Sequence, residues 1–331
     1  MRNLKRALSL ALAAIMLIGM MVVSASAVSY NDLTDKDQIV NKDAVSMLVS
    51  LGIIEGKPDG SYAPTENVDR AQMAKMLSVI MNKGVDNSAL YQSVNSGLTD
   101  ITSHWAKGHI NYCYTTGIIA GRGTGTFDPS ATVTALEAAK MLLVAVGYDP
   151  AIERFEGADW AINVSVRADE QGIFEGFTKD LSAPLNRDDA ALLIYNALDV
   201  EMIQSYTTNN YPIAYSDHRT ILADKYGVIK VQGVVVANEW ASLASDDGDA
   251  ALKEGKTTIY NGEGIFSTTG NTTVSKEDAS LKTQTFNVST PVDMLGKTVN
   301  LYIKKTTILA DSTVYGDPVV SDVNTVVTTG E

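Results

Sequence analysis

The sequence GIIEG at residues 52–56 returns as GIIAG at residues 117–121 and as GIFEG at residues 172–176. A second element repeats in step with it, because the Leu-Thr-Asp sequence at residues 33–35 returns at residues 98–100. Repetition of several columns in the same order is typical of an array built from one structural unit. The sequence therefore predicts three copies of one supersecondary unit, each made of a helix, a glycine turn, a loop and a second helix.

The N-terminus has the pattern of a secretory leader. Three cations precede an apolar run at residues 7–23, and Ala-Ser-Ala at residues 25–27 is a small-residue cleavage sequence. A permanent membrane anchor is the alternative, but the cleavage sequence and the more polar residues after it favour removal. We expect residues 1–27 to be a signal peptide and the mature chain to be secreted, with no membrane insertion after cleavage.

The composition of the chain is acidic. The 26 Lys and Arg residues are outnumbered by 39 Asp and Glu residues, which gives a formal charge of −13, and removal of the three leader cations makes it −16. Such a chain should not attract nucleic acid or anionic lipid by bulk charge. An anionic partner would need a local cationic pocket that acts against the general field.

The second helix of each repeat has one apolar stripe. Apolar residues occur three, six, seven and ten positions after Arg70, Ala135 and Arg187, which places them on one helix face. A single repeat of this size has too little core to be stable alone. We therefore expect three equivalent helices to bury their stripes against one another in a three-helix core around a pseudo-threefold axis.

The starts of these helices suggest a binding site. The residues directly before them are all favoured N-caps: Asp69, Thr134 and Asn186. Arg70 and Arg187 then occupy the first helical position, beside free amides at the positive end of the helix. This combination favours a carboxylate or phosphate site. The alternative is an arginine that is simply solvated at the surface.

The second repeat resembles the surface-layer homology (SLH) module. The matching motifs are Asp-Ile at 100–101, His-Trp-Ala at 104–106, GIIAG at 117–121, Thr-Phe-Asp-Pro at 126–129, and Val-Thr at 133–134 followed by Glu137. The second-helix motif of the family is Thr-Arg-Ala-Glu. The first and third repeats follow the same order and spacing. The resemblance implies three modules, which we place at residues 28–84, 97–150 and 151–204.

The resemblance also implies a function. Triplets of similar modules form a three-pronged spindle with a central three-helix bundle, and the grooves between the prongs bind pyruvylated secondary polysaccharides of the bacterial cell wall. The motif arginine of the family contributes to recognition of the pyruvate ketal carboxylate. This implies the same role for Arg70 and Arg187 and a location in the bacterial cell wall or S-layer.

Five further residues are candidates for the polysaccharide site. Gly56, Gly121 and Gly176 would let the backbone approach the sugar, or would equally be ordinary turn residues. The indoles of Trp105 and Trp160 could stack on a sugar ring. Their place in the first helix of the repeat favours a core role instead.

The modules depart from the family pattern in ways that predict unequal grooves. The second module has Ala135 where the arginine belongs, and Arg122 could replace that cation only if its loop folds back. The first module has Val40 at the tryptophan column. We expect the Arg70 and Arg187 sites to bind. Ala135→Arg is a candidate for creating or strengthening a third site.

Beyond residue 204 the pattern changes from helical to extended. β-branched stretches with polar alternation occur at residues 228–237, 257–260, 283–288, 298–304 and 306–309. We expect residues 205–331 to form a mostly β domain, a small barrel or a sandwich, with its boundary near residues 205–210. The acidic cluster at 246–249 could bind calcium but lacks the full ligand spacing, so a solvated turn is favoured.

No catalytic constellation is visible in the sequence. We find no H-E-x-x-H motif, no Gly-x-Ser-x-Gly elbow and no phosphate loop, and we expect no catalytic residues, no metal and no cofactor. The expected fold class is α+β and multidomain, an all-α trimer of SLH modules followed by the β region. That region would be a structural surface-layer or scaffold part. Other surface-layer subunits are its candidate partners. The alternatives are an adhesin or carbohydrate-binding protein, or the anchor of a larger protein whose effector domain lies beyond residue 331.

Overall fold

The fold is described from a computed structural model, for residues 30–243, 251–262, 282–304 and 313–322. Four of the sequence predictions lie outside these residues: the signal peptide, the acidic cluster at 246–249, the strand at 306–309 and the end of the chain. The described residues combine α-helices with antiparallel sheets. The predicted α+β class is confirmed.

Each repeat contributes two α-helices to the described structure. The helices are α1 (Lys42–Ser50), α2 (Arg70–Met81), α3 (Lys107–Thr115), α4 (Ala135–Ala145), α5 (Trp160–Glu170) and α6 (Arg187–Leu198). Short 3-10 turns occur at Tyr30–Asp32, Lys36–Gln38, Ser88–Tyr91 and Val292–Met294. The second helices α2, α4 and α6 begin at the residues that the sequence pattern predicts.

The six helices pack in a closed ring. Helix α3 packs on α2, α5 packs on α4, and α1 packs on α6. The first helix of each repeat therefore lies against the second helix of the preceding repeat, and the first repeat closes the ring onto the third. The second helices also touch each other, α2 with α4 and α4 with α6.

A cycle of backbone hydrogen bonds joins the segments just before the three second helices. The amide of Val68 donates to the carbonyl of Leu185 (2.8 Å), the amide of Leu185 donates to Val133 (2.8 Å), and the amide of Val133 donates back to Val68 (2.9 Å). A second cycle of the same kind lies beside it: Ala71 to Pro129, Leu136 to Leu181 and Asp188 to Pro64. Each repeat is thus hydrogen-bonded to both of the others through equivalent residues near the start of its second helix.

Side-chain caps set the start of each second helix. The side chain of Asp69 accepts from the amide of Gln72 (2.7 Å), that of Thr134 accepts from Glu137 (3.2 Å), and that of Asn186 accepts from Asp189 (2.8 Å). The predicted N-caps are confirmed. A cap of this type is typically worth about 1 kcal/mol.

The repeated Leu-Thr-Asp sequence has a local structural cause. The carboxylate of Asp35 accepts from the amides of Tyr62 and Ala63, both at 2.7 Å, and the carboxylate of Asp100 accepts from Phe127 and Asp128. Ala63 and Asp128 have φ of 57° and 61°, in the left-handed region. Because non-glycine residues rarely adopt that conformation, the carboxylate clamps help to hold the two loops in it.

The apolar stripes of the second helices are buried, as predicted. Every stripe position, from Met73 in α2 to Ala197 in α6, belongs to one continuous hydrophobic cluster. The single cysteine, Cys113, is fully buried in the same cluster, and burial raises the pKa of its thiol. Cys113 is therefore a small core residue.

The C-terminal part of the described chain forms a five-stranded antiparallel sheet. The strands are β3 (Val228–Asn238), β4 (Thr257–Tyr260), β5 (Thr283–Phe286), β6 (Thr298–Lys304) and β7 (Val314–Asp322), in the order β5-β4-β3-β6-β7. A separate hairpin, β1 (Ile203–Tyr206) with β2 (Pro212–Ala214), precedes them. Four of the strands were predicted. The expected barrel or sandwich is not what the described residues form, since their strands β3 to β7 make one open sheet.

The sheet packs closely on the helical part. Val228 and Tyr302 belong to the helical core cluster, whereas Ile229, Val231 and their neighbours form a second cluster within the sheet region. Strand β7 contacts α1, where Gly316 has φ of +67° and a Cβ would lie 3.4 Å from Met47. In residues 30–322, as far as they are described, no helix has the length and apolar character needed to cross a membrane.

Replacement of one clamp carboxylate should destabilise the protein in a pH-dependent way. Although burial opposes it, the hydrogen bonds from Phe127 and Asp128 lower the pKa of Asp100. We expect Asp100→Asn to lower the free energy of unfolding by about 1 kcal/mol at pH 7, because Asp100 is exposed and screened by solvent. Since the folded pKa is depressed, this difference is complete above the ordinary Asp pKa of about 3.9 and shrinks as pH falls through the folded pKa.

Urea unfolding at pH 7 and at a series of acidic pH values measures this difference. The matched control is Asp37→Asn, at an exposed carboxylate in the turn Lys36–Gln38, which should change stability little. A loss of stability that stayed the same down to pH 2 would contradict the role of the charged carboxylate.

Candidate functional site: two cationic grooves

Arg70 is a buried cation without an acidic partner in the described structure. Its side chain is only 4% exposed, its Nε donates to the carbonyl of Phe127 (2.9 Å) and its Nη2 donates to the carbonyl of Ala120 (2.8 Å). The guanidinium also lies 4.3 Å from the ring centroid of Phe127. Burial, with the repulsion of Arg122, lowers the pKa of Arg70 to about 10, so the group remains charged at neutral pH.

Arg187 repeats this arrangement one module away. Its Nε donates to the carbonyl of Tyr62 (2.7 Å), its Nη2 donates to the carbonyl of Glu55 (3.3 Å), and the guanidinium lies 4.8 Å from the Tyr62 ring. In both arginines, Nε and Nη2 are committed to the loop of a neighbouring repeat. Arg70 therefore contacts the loop 117–121 in the same way as Arg187 contacts the loop 52–56.

The two arginines line two equivalent clefts, which we call groove A and groove B. Groove A is lined by Arg70, the loop 118–121, Arg122, Lys140 and Trp160, together with residues 155–157, Glu137 and Met141. Groove B is lined by Arg187, the loop 53–56, Lys57, Lys75 and Trp105, together with Pro58, Gln72 and Met76. Each encloses about 510 Å³.

The tryptophans occupy matching positions in the two grooves. Trp105 is 57% exposed in groove B, and Trp160 is half-buried in groove A with the Lys140 ammonium 5.9 Å from its ring centroid. The core role that the sequence favoured is wrong for Trp105. The reason is that the α3 segment packs on α2 through Ala106 and Ile110, which leaves the indole of Trp105 at the rim of the groove.

The lysines of the grooves are functional candidates that the sequence analysis missed. Lys75 and Lys140 stand five residues after the first position of their helices. Lys57 and Arg122 directly follow the repeated pentapeptide. The signal was present in the sequence, because a comparison of repeat columns beyond the arginine column finds these four cations.

A third position in the helical part is equivalent to grooves A and B, but it has no cation where each of those grooves has an arginine or a lysine. Ala135 replaces the arginine, Leu192 replaces the lysine of the second helix, Phe177 follows the third pentapeptide, and Val40 stands at the tryptophan column. Ala135 is fully buried and Val40 is 81% exposed. Arg122 does not replace the missing cation there, because it lines groove A and its Nη1 donates to Glu137 at 3.0 Å.

The three glycines have different surroundings. Gly56 lines groove B and Gly121 lines groove A, whereas Gly176 has φ of +75° near Leu192 and lines neither groove. A Cβ on Gly121 would lie 2.9 Å from the carbonyl oxygen of Thr126. Gly176 is thus explained as a turn residue, and Gly121 is required by its own loop.

A Ser-His-Asp cluster lies outside both grooves, and its serine and histidine are buried. The Oγ of Ser78 is 2.6 Å from Nδ1 of His109, and Nε2 of His109 is 3.6 Å from Oδ2 of Asp86. Ser78 and His109 are each 4% exposed, and neither lines groove A or B. The cluster joins α2 to α3. Within the described ranges, no group of three or more His, Cys, Asp or Glu residues is placed to hold a metal ion.

Comparison with known proteins identifies part of the chain. Residues 29–74 and 97–139 match the S-layer homology domain. These segments hold the two loops that line grooves B and A and the start of helices α2 and α4. The repeat that the sequence predicts is thus matched in two of its copies.

The chain is similar to curated proteins that are named as a cell surface protein, an S-layer protein and an exoglucanase. The chain is 28% identical to a cell surface protein of Thermoanaerobacter kivui over 273 residues, which are 81% of this chain and 32% of that protein. It is 33% identical to an S-layer protein of Bacillus licheniformis over 102 residues (31% and 11%) and 28% identical to an exoglucanase of Acetivibrio thermocellus over 192 residues (54% and 17%).

The chain spans about a third or less of the length of these relatives. The matched domains and the relatives together support one location: the protein is exported and belongs to the bacterial cell surface, in the cell wall or S-layer.

Alanine at Gly121 should be more destabilising than alanine at the equivalent Gly56. At Gly121 the new methyl would meet a backbone oxygen at 2.9 Å, whereas at Gly56 the nearest atom is a flexible Leu33 methyl at 3.2 Å. We expect Gly121→Ala to cost about 1–3 kcal/mol, as overpacking commonly does, and Gly56→Ala to cost less. Thermal unfolding of the two variants measures the difference, and equal melting temperatures would contradict it.

Proposed function

We propose that this chain anchors an exported protein to the bacterial cell wall by binding pyruvylated secondary cell-wall polysaccharide in grooves A and B. The acidic substituent is bound by Arg70 in groove A and by Arg187 in groove B. Trp160 and Trp105 contact the sugar at the same grooves, and the backbone near Gly121 and Gly56 lies along it. The anchoring is non-covalent.

The observation that carries the proposal is a guanidinium on the wall of an open cleft, buried at Arg70 and half-buried at Arg187, without a carboxylate at ion-pair distance. In the described residues, neither Arg70 nor Arg187 forms an ion pair, although both are held by backbone carbonyls. Removing a charge from water is costly unless it is compensated. A ligand carboxylate at the remaining Nη1 nitrogen supplies that compensation through a charge-assisted hydrogen bond.

Residues 151–204 form the third module in this proposal, and the three second helices form a pseudo-threefold core. The support is the closed cycle of hydrogen bonds through Val68, Val133 and Leu185 and the equivalent packing of α1 on α6. Arg187, which belongs to this third segment, completes groove B of the first module. A chain with only the first two modules would therefore lack the arginine of groove B.

The β region is a structural or scaffold part in our proposal, and the chain is not itself an enzyme. The burial of Ser78 and His109, each 4% exposed, supports this assignment. A second candidate is the anchor of a longer protein with an effector domain, and it is favoured by the greater length of the relatives, one of which is named as an exoglucanase.

Removal of the two groove arginines, Arg70 and Arg187, should abolish most wall binding by the full chain. A charged hydrogen bond to a carboxylate is worth about 1.5–3 kcal/mol, so Arg70→Gln and Arg187→Gln should each weaken their own site by roughly one to two orders of magnitude. Sedimentation of the protein with purified walls measures this. The full chain is used because Ile221, Leu222 and Tyr226 complete the helical core, and a fragment ending at residue 204 would lose them.

Arg219→Gln is the matched control, because Arg219 pairs with Asp217 and lines neither groove. Walls stripped of their secondary polymer form the second control and should bind neither wild type nor variant. Equal binding of wild type to intact and stripped walls would refute the proposal. Unchanged binding by the double variant would show that the arginines are merely structural.

Ala135→Arg alone should not create a third site. Ala135 is fully buried, and the lysine and tryptophan columns of that groove hold Leu192 and Val40. We expect the variant to lose about 1–3 kcal/mol of stability and to keep the stoichiometry of wild type. Calorimetric titration with soluble polymer fragments tests this, and one additional equivalent of bound ligand would contradict it.

A further inference from the structure

We propose that Lys140 is a second anion-binding residue of groove A, and that groove A therefore binds an anionic sugar unit more tightly than groove B does. This inference rests on the proposed function, because it concerns the same ligand class. It assigns an order of affinity to two grooves that have the same volume and the same arginine geometry.

The equivalent lysines of the two grooves differ in their ion pairs. In groove B, Nζ of Lys75 is 3.4 Å from the carboxylate of Glu55, a residue of the groove loop. In groove A the corresponding loop residue is Ala120, so this acidic partner is missing. Within the described residues, Lys140 has no carboxylate oxygen at ion-pair distance.

The remaining cations of the two grooves are both neutralised locally. Lys57 forms an ion pair with Glu66 in groove B, and Arg122 forms one with Glu137 in groove A. The cations that remain for a ligand are then Arg187 alone in groove B, but Arg70 and Lys140 together in groove A.

Arg70 and Lys140 both line groove A, so an anion bound in that groove is attracted by both charges. Burial lowers the pKa of Lys140, and the charge of Arg70 lowers it further, whereas Glu156 on the groove wall raises it. Glu156 is solvent-exposed and forms no ion pair with Lys140. In groove B, by contrast, the charge of Lys75 is already paired with Glu55.

The three tryptophans of the chain allow each groove to be followed separately. Trp160 lies in groove A, Trp105 lies in groove B, and Trp240 lies in the β region, where it is 63% exposed. The full chain labelled with 5-fluorotryptophan therefore gives one signal for each groove and one reference signal. The probe is a hexose methyl glycoside that carries a pyruvate ketal, and the same glycoside without the ketal is the neutral control.

We expect the Trp160 signal to shift at a probe concentration about tenfold lower than the Trp105 signal. Lys140→Gln should bring the two midpoints within about twofold, and Lys140→Arg should restore the difference because it retains the charge. Lys297→Gln, the control at a lysine that pairs with Asp293 and lines neither groove, should leave both midpoints within about twofold of wild type. The Trp240 signal reports whether each variant is folded.

Equal midpoints for Trp160 and Trp105 in the wild type would overturn the inference, as would a Trp160 midpoint that Lys140→Gln leaves unchanged. Neither outcome would affect the proposed function, since both grooves would still bind the probe. A wild-type chain in which neither signal responds to the ketal would instead refute the proposed function, and the inference with it.

Discussion

The helical part of this protein depends on the backbone cycle that joins Val68, Leu185 and Val133. Each of these residues lies two positions before the first residue of a second helix, so the cycle fixes where each helix starts relative to the other two repeats. As a result, the first side chain of α2 reaches the loop of the second repeat, and that of α6 reaches the loop of the first. Each groove is therefore built from more than one repeat, and its arginine comes from a different repeat than its glycine-bracketed loop.

This origin of the grooves explains which predictions could be made from the sequence. Helix starts, N-caps and buried stripes are local properties. Within five residues, Asp69 is the N-cap, Arg70 is the first helical residue and Met73 begins the buried stripe. Strands with strong alternation, such as Val228–Asn238, were also predictable. Strand β7 was missed because Gly316 and Pro318 interrupt it, and its pairing with β6 and contact with α1 are long-range.

The candidate site was only half predictable for the same reason. The arginines could be identified from the repeat and from the family resemblance, but nothing local shows that Arg122 faces Arg70 and not the Ala135 position. The exposure of Trp105 likewise depends on how α3 packs on α2. The difference between Lys75 and Lys140 depends on one loop residue, Glu55 or Ala120, whose distance to the lysine exists only in the folded protein.

The central claim is that Arg70, which is buried, and Arg187, which is half-buried, are cations kept for an anionic sugar. The most direct measurement is a crystal structure of the full chain with a pyruvylated fragment of the wall polysaccharide. The account predicts a ligand carboxylate in each of grooves A and B, with an oxygen about 2.7–2.9 Å from Nη1 of Arg70 or Arg187. A fragment bound elsewhere on the protein, with both guanidinium groups contacting only backbone carbonyls and rings, would contradict it.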